Sequence, residues 1–118
     1  MPSARELIEE HIAAFNAHDT ARLLARLAPD VVWATGRDVI RGRDELAEVF
    51  DDGLWQLRPS LVTRRLVASG NVVAVELSER LHVDGVARLF PIAAFFDVSG
   101  GVIRSARVYR EGSADIDP

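Results

Sequence analysis

Glu79 is the residue whose place is hardest to explain by solubility alone. Between residues 72 and 83 the chain alternates. Val73, Val75, Leu77, Leu81 and Val83 share one face of a strand, Glu76, Ser78, Arg80 and His82 share the other, and Glu79 falls on the apolar side. A carboxyl group there loses hydration, which raises its pKa unless a cation lies beside it, and a carboxyl so tuned suits a general acid or base. The alternatives are a structural ion pair with Arg107 or a rim position reached by water. Arg107 and Tyr109 stand two apart near the C-terminal end, so they share a strand face. Together they suit a ligand carboxylate, enolate or phenolate held by charge-assisted hydrogen bonds. Equally, Arg107 only neutralises Glu79 and Tyr109 packs at a rim. His11 lies in the apolar helical stripe of Ile8, Ile12 and Phe15. It is read either as a proton shuttle or donor near neutral pH, or as a buried neutral histidine satisfied by a backbone carbonyl. Trp33 and Trp55 are large enough to line a pocket mouth, though tryptophan also serves as plain core.

These side chains need elements to hold them. Ser3 with Glu6 forms a capping box for a helix over residues 3–17. Asp19 caps a shorter helix carrying Leu23, Leu24 and Leu27, stopped by Pro29. A strand runs from Val31 to Thr35, a Gly36-Arg37-Asp38 turn leads into Val39-Ile40, and Asp44 caps a third helix closed by Gly53. Four Val/Leu/Phe/Ile-rich segments follow, over 60–68, 72–83, 86–98 and 102–110. Ser69-Gly70-Asn71, Asp84-Gly85 and Ser99-Gly100-Gly101 separate them as hairpin signals, and the tail from Gly112 to Pro118 reads as frayed. Helices first and an antiparallel meander after is the α+β class. The 86–98 segment is apolar on both faces, and a strand of that kind has to be covered on both. Three short helices cover one side of a sheet, so the expected cover for the other is a second copy in a two-fold dimer. Its contact residues are expected to be Ile92, Ala94, Phe96 and Ala106.

Composition excludes several chemistries. The chain has 118 residues, one domain's worth, with 48% hydrophobic and 27% charged residues, which is a globular balance. There is no cysteine, which removes disulfides, thiolate nucleophiles and Cys-ligated zinc. All 14 cations are arginine, so lysine Schiff-base chemistry is excluded and a GC-rich bacterial genome is suggested. The net charge of −4 with scattered basic residues argues against nucleic acid. The longest nearly unbroken apolar run, Leu89 to Phe96, is far short of the ~20 residues of a membrane helix. Glu6, Glu9 and Glu10 stand where an export signal is basic and then apolar, so a cytoplasmic location is expected. The three histidines are too scattered for a metal site, and neither metal nor cofactor is expected.

The order of these features resembles the nuclear transport factor 2-like superfamily, which includes ketosteroid isomerases, SnoaL-like polyketide cyclases and limonene-epoxide hydrolase. The residues that carry the resemblance are Ala14-Phe15-Asn16-Ala17-His18-Asp19, Leu27-Ala28-Pro29-Asp30-Val31-Val32-Trp33, Ile40-Arg41-Gly42-Arg43-Asp44-Glu45-Leu46 and Gly101-Val102-Ile103-Arg104. It covers about residues 5–110 of a chain taken as one SnoaL-like domain over 1–118. The resemblance implies a cone: a curved antiparallel sheet packed on three N-terminal helices, with a pocket between them. It places the ketosteroid isomerase base on Thr35, the helix tyrosine on His11 and the acidic donor on Ala93. Threonine is no carboxylate base and alanine donates no hydrogen bond, so that mechanism is not expected.

Carried onto the cone, Leu77, Glu79 and Leu81 face the pocket, as do Leu89, Pro91, Ala93, Phe95 and Asp97 from the next strand and Ser105, Arg107 and Tyr109 from the last. That mapping needs a bulge or a longer loop at Asp84-Gly85, because a tight two-residue hairpin pairs Glu79 with Phe90 instead. Glu79 and His11 are thus the expected catalytic residues, and Arg107, Tyr109, Trp33, Thr35, Trp55, Asp97 and Phe95 the expected ligand contacts. The function expected is acid–base chemistry of the isomerase, cyclase or hydrolase type on an apolar cyclic or polyketide-like substrate. A water held between Glu79 and Asp97 near Arg107 is the epoxide-hydrolase version. The alternatives are a noncatalytic ligand-binding protein and a dimeric interaction module.

Overall fold

Ser3 accepts a hydrogen bond from the Glu6 amide while the Glu6 carboxylate accepts one from the Ser3 amide, and this capping box starts helix α1, Ala4–Asn16. In this computed structural model, which describes residues 2–110, Asp19 then caps helix α2, Thr20–Leu24, by accepting from the Arg22 amide. The frayed tail expected over 112–118 lies outside the described residues. Strand β1 covers Leu27–Thr35, and a hairpin at Gly36-Arg37 returns it as β2, Asp38–Arg41. Helix α3, Arg43–Asp52, and a 3-10 turn, Leu54–Leu57, lead to β3, Ser60–Ser69. Strands β4, Val72–Val83, β5, Val86–Ser99, and β6, Val102–Arg110, complete the sheet. The fold is α+β, as expected, and the four late strands begin and end within a residue of the segments read from the sequence.

Three boundaries differ from the sequence reading. Pro29 does not stop α2 but lies inside β1, four residues before Trp33. Proline lacks an N–H, and here it falls in the stretch between Leu27 and Val32 where β1 loses register with its neighbour. Helix α3 is not capped by Asp44. Gly42 occupies the cap with φ +86 and donates its amide to the Val31 carbonyl at 2.8 Å, which ties the helix start to β1. The 3-10 turn after Gly53 carries no strong periodicity and was not foreseen.

The sheet order is β2-β1-β6-β5-β4-β3, with β1 and β6 parallel and the other neighbours antiparallel. One face packs on the helices. Leu7, Ile8, Leu23, Leu27, Leu46 and Ile103 are fully buried between them. At its C-terminal end α1 is clamped to β3, because the Asn16 amide donates to the Leu61 carbonyl at 3.0 Å and its oxygen accepts from the Leu61 amide at 2.7 Å. Among the described residues no helix is long and apolar enough to cross a membrane.

The hairpin between β4 and β5 sets the register that decides the site. Asp84 and Gly85 have φ +52 and +77, the two left-handed residues of a type I′ turn, and they pair Val83 with Val86 and Glu79 with Phe90. No bulge interrupts this ladder. The even-numbered residues of β5 therefore share the inner face with Glu79. Ile92, Ala94 and Phe96 are buried there, while Leu89 and Phe95 are exposed. The inward mapping of Leu89, Pro91, Ala93, Phe95 and Asp97 is thereby reversed. Between β5 and β6 a bulge at Arg104 brings both Ile103 and Ala106 inward and sends Ser105, Arg107 and Tyr109 outward. The contact set expected for a dimer, Ile92, Ala94, Phe96 and Ala106, is likewise core rather than surface.

Candidate functional site

Between the inner face and the helices lies a cavity of about 160 Å³, open to solvent on one side. Leu77, Ile92, Ala94 and Val108 form its sheet wall, and Ile12, Phe15, Leu46 and Phe50 face them from the helices. Val49, an exposed lining residue, marks the solvent side. Three polar groups interrupt this apolar lining at different heights: an ion pair of Glu79 with Arg110, the imidazole of His11, and the Thr35 hydroxyl.

Glu79 sits on β4 and Arg110 on β6, and β5 runs between them. The side chains meet across β5 beside Phe90, whose ring centroid lies 5.9 Å from the guanidinium carbon. The Glu79 side chain is 4% exposed and that of Arg110 23%, so the acid lies deeper than its partner. Burial pushes the Arg110 pKa down from its ordinary value. Removing two charges from water is costly, and only close pairing offsets it.

His11 occupies the other pole. Its ring lies 5.4 Å from Trp33 and 5.6 Å from Phe96, and the residue is 3% exposed. Phe96 pairs with Ala106, whereas Arg110 pairs with Ile92, four residues along β5. At the usual rise per residue the two poles are about 13 Å of strand apart. Loss of hydration pushes the His11 pKa down to about 4, which keeps the ring neutral at pH 7. Its Nδ1 has no hydrogen-bond partner among the described residues. Among the described residues no backbone carbonyl satisfies that nitrogen.

The remaining residues singled out in the sequence separate into groups. Trp33 and Thr35 line the cavity with Glu79 and His11. Trp55 does not. It stacks on Phe50 at 4.9 Å and donates its indole N–H to Thr20 at 2.8 Å, which fixes the 3-10 turn against α2. Phe95, Asp97, Arg107 and Tyr109 surround a separate open depression of about 370 Å³ on the outer face. There Ser105 donates to Asp97 at 2.7 Å and the Phe95 and Tyr109 rings meet edge to face at 6.0 Å. The partner of Glu79 is thus Arg110 and not Arg107. Ala93, the position carried over for an acidic donor, also faces outward, and its inward neighbours Ile92 and Ala94 are apolar. His18 is half-buried: its Nε2 lies 2.7 Å from the Pro59 carbonyl and its ring stacks on Trp55. Among the described residues no cluster of His, Cys, Asp or Glu is arranged to hold a metal ion.

Sequence reasoning missed Arg110. The signal was present in the alternation of Ala106, Val108 and Arg110 against Ser105, Arg107 and Tyr109, which leaves one cation on the apolar side of the last strand as Glu79 is the one acid on the apolar side of β4.

Solved structures of similar shape are many. The chain is similar to an LEH-like epoxide hydrolase from M. tuberculosis, with 25% identity, a TM-score of 0.81, and 92% of this chain and 82% of that one covered. It is similar to SalBIII, an epoxide hydrolase/cyclase-like enzyme in pyran ring formation in the polyether salinomycin, with 21% identity, a TM-score of 0.84, and 91% and 89% covered. An NTF2-like protein of unknown function from Burkholderia pseudomallei K96243 gives 21% identity, a TM-score of 0.83, and 92% and 91% covered. None of the curated protein sequences matches this chain. The sequence pattern of the SnoaL-like domain matches residues 8–106, from the helix that carries His11 to the strand that carries Ala106. With the six-stranded curved sheet and the cavity it forms with the helices, that match places the chain in the SnoaL-like domain family, within the NTF2-like fold.

Proposed function

We propose that this protein is a small-molecule acid–base enzyme of the isomerase, cyclase or hydrolase type. In this reading Glu79 is the base, Arg110 holds its carboxylate in place, and an apolar cyclic substrate fills the cavity between that pair and His11. The observation that carries the reading is the Glu79–Arg110 pair set into a largely apolar cavity wall. Apolar residues of similar volume often replace a buried ion pair at no cost, or with a gain of ~1–4 kcal/mol, so stability gives no reason for the pair to be there. A guanidinium favours the charged form of a neighbouring carboxylate, which suits Glu79 to accept a proton rather than give one. The cation then balances negative charge that develops on the substrate. His11, neutral at working pH, meets the substrate at the far pole.

The second reading is a noncatalytic ligand-binding protein, favoured by one observation: Arg110 already neutralises the carboxylate. Incubation in D2O with small enolisable ring ketones, and in water with small epoxides, separates the two. Epoxides belong in the panel because a similarly folded protein is an epoxide hydrolase. Solvent deuterium wash-in or ring opening is expected, slowed about 10²-fold or more in Glu79→Gln. Saturable binding without turnover supports the second reading, and turnover that survives Glu79→Gln removes the first.

A further inference from the structure

Glu79 uses only part of the Arg110 guanidinium. Nη1 is the nitrogen sealed from solvent, and it is the one that meets Glu79. Nε and Nη2 have no hydrogen bond to any described residue and are not sealed. Arg110 lines the cavity, the only arginine to do so among the described residues, and its side chain is 23% exposed. The Nε and Nη2 edge of a guanidinium is a planar pair of donors that matches the two oxygens of a carboxylate. Such charge-assisted pairs are roughly twice as strong as neutral hydrogen bonds. Next to this edge, Ile92 and Val108 offer apolar surface to the body of a ligand.

We infer that the cavity takes a ligand whose apolar body carries a carboxylate, that this carboxylate pairs with Nε and Nη2 of Arg110, and that its arrival strengthens Glu79 as a base. This rests on the cavity being the ligand site proposed above, and it narrows the substrate from apolar molecules in general to apolar acids. The effect on Glu79 follows from charge. Without ligand, one guanidinium serves one carboxylate, which favours the charged form of Glu79 and makes it a weak base. With a ligand carboxylate bound, two anions share that cation, and the added negative charge makes Glu79 take up a proton more readily. A base works best when its pKa lies near the working pH, so the substrate itself tunes the group that attacks it. Few other groups face Glu79. His11, neutral, lies at the other pole, and the remaining lining residues are apolar except for the Thr35 hydroxyl. On β5, Arg88 shares the face of Phe90 two residues away but is exposed and outside the cavity lining.

Benzoate and benzamide, nearly equal in size and different in charge, test this on the intact chain. Amide NMR follows their binding, and the Glu79 carboxyl carbon is titrated with and without each probe. Benzoate is expected to bind saturably and about tenfold or more tighter than benzamide. It is expected to raise the Glu79 titration midpoint by about one pH unit or more, while benzamide leaves it in place. Glu79→Gln gives the whole guanidinium to the probe, so that variant is expected to bind benzoate more tightly than the wild type and without proton uptake. In the double variant Glu79→Gln/Arg110→Met, which strands no charge, the preference for benzoate disappears. The wild-type and Glu79→Gln titrations decide the matter even if the double variant fails to fold. Equal affinity for the two probes, weaker benzoate binding in Glu79→Gln, or a preference that survives the double variant overturns the carboxylate site. A Glu79 midpoint that benzoate leaves in place overturns the strengthened base. Deuterium wash-in to neutral ring ketones that depends on Glu79, with no preference for benzoate, keeps the proposed enzyme and removes this inference. Benzoate binding as expected, with turnover that survives Glu79→Gln, removes the proposed base and keeps the carboxylate site.

Discussion

His11 makes the fold sensitive to acid below about pH 6.5. Its pKa is about 6.5 in the unfolded chain and falls to about 4 in the folded one, because burial beside Trp33 and Phe96 denies water to the charged ring. Above pH 6.5 both states carry a neutral ring and the shift contributes nothing. Between pH 6.5 and 4 the unfolded chain binds a proton that the folded one refuses, so stability falls as pH falls. A difference of about 2.5 pKa units limits the loss to about 3 kcal/mol, and at pH 5 it amounts to about 2 kcal/mol. Urea unfolding of the wild type and of His11→Leu, each at pH 7 and pH 5, isolates this contribution. The substitution changes stability at pH 7 through packing, but only the loss between the two pH values matters. The wild type is expected to lose about 2 kcal/mol more than the variant over that interval. His18 and His82 are present in both proteins, so whatever they contribute cancels in the comparison. Parallel losses would refute the reasoning, because they would mean that the His11 ring charges inside the folded protein.

Other substitutions test the remaining assignments. Arg110→Met strands the Glu79 carboxylate and is expected to cost roughly 3–5 kcal/mol at pH 7 in denaturant unfolding, while Arg107→Met leaves the midpoint unchanged; the opposite ranking would reinstate Arg107 as the partner. We propose that a second copy of the chain covers the outer sheet face, where Leu89, Phe95 and Tyr109 are 64%, 47% and 54% exposed, in a two-fold dimer. Phe95→Glu is expected to give a soluble monomer by light scattering, and a variant that stays dimeric rejects this interface. The protein is expected not to isomerise a Δ5-3-ketosteroid, since Thr35 and the alanines at 93 and 94 offer neither a carboxylate base nor an acidic donor; turnover that survives both Glu79→Gln and His11→Ala would contradict this.

What the sequence made legible follows from how local each signal is. The capping box at Ser3 and Glu6, the cap at Asp19 and the turn residues between the late strands act within a few positions, and each element they mark starts within a residue of where it was expected, although α2 ends at Leu24 and not at Pro29. Glu79 was legible for the same reason, because alternation along one strand decides its face. Faces on β5 and β6 depend instead on register between strands, and one residue of slip inverts a whole strand. Asp84-Gly85 carried the right answer: two residues that accept positive φ close a type I′ turn, and a type I′ turn fixes Glu79 opposite Phe90. The expected bulge came from carrying a family's pocket onto the chain. The bulge between β5 and β6, at Arg104 beyond Gly100-Gly101, leaves no mark in the hydrophobic pattern, because Ile103 and Ala106 are both apolar and three apart. Arg110 was hidden by that inversion, and so was the face proposed for a dimer, since both depend on which side of β5 and β6 is inside. The physical requirement behind the sequence reading nonetheless holds: a carboxylate on the buried face of a sheet calls for a cation on the same face. Of the two arginines on β6 beyond the bulge, only the one at an even position can answer it.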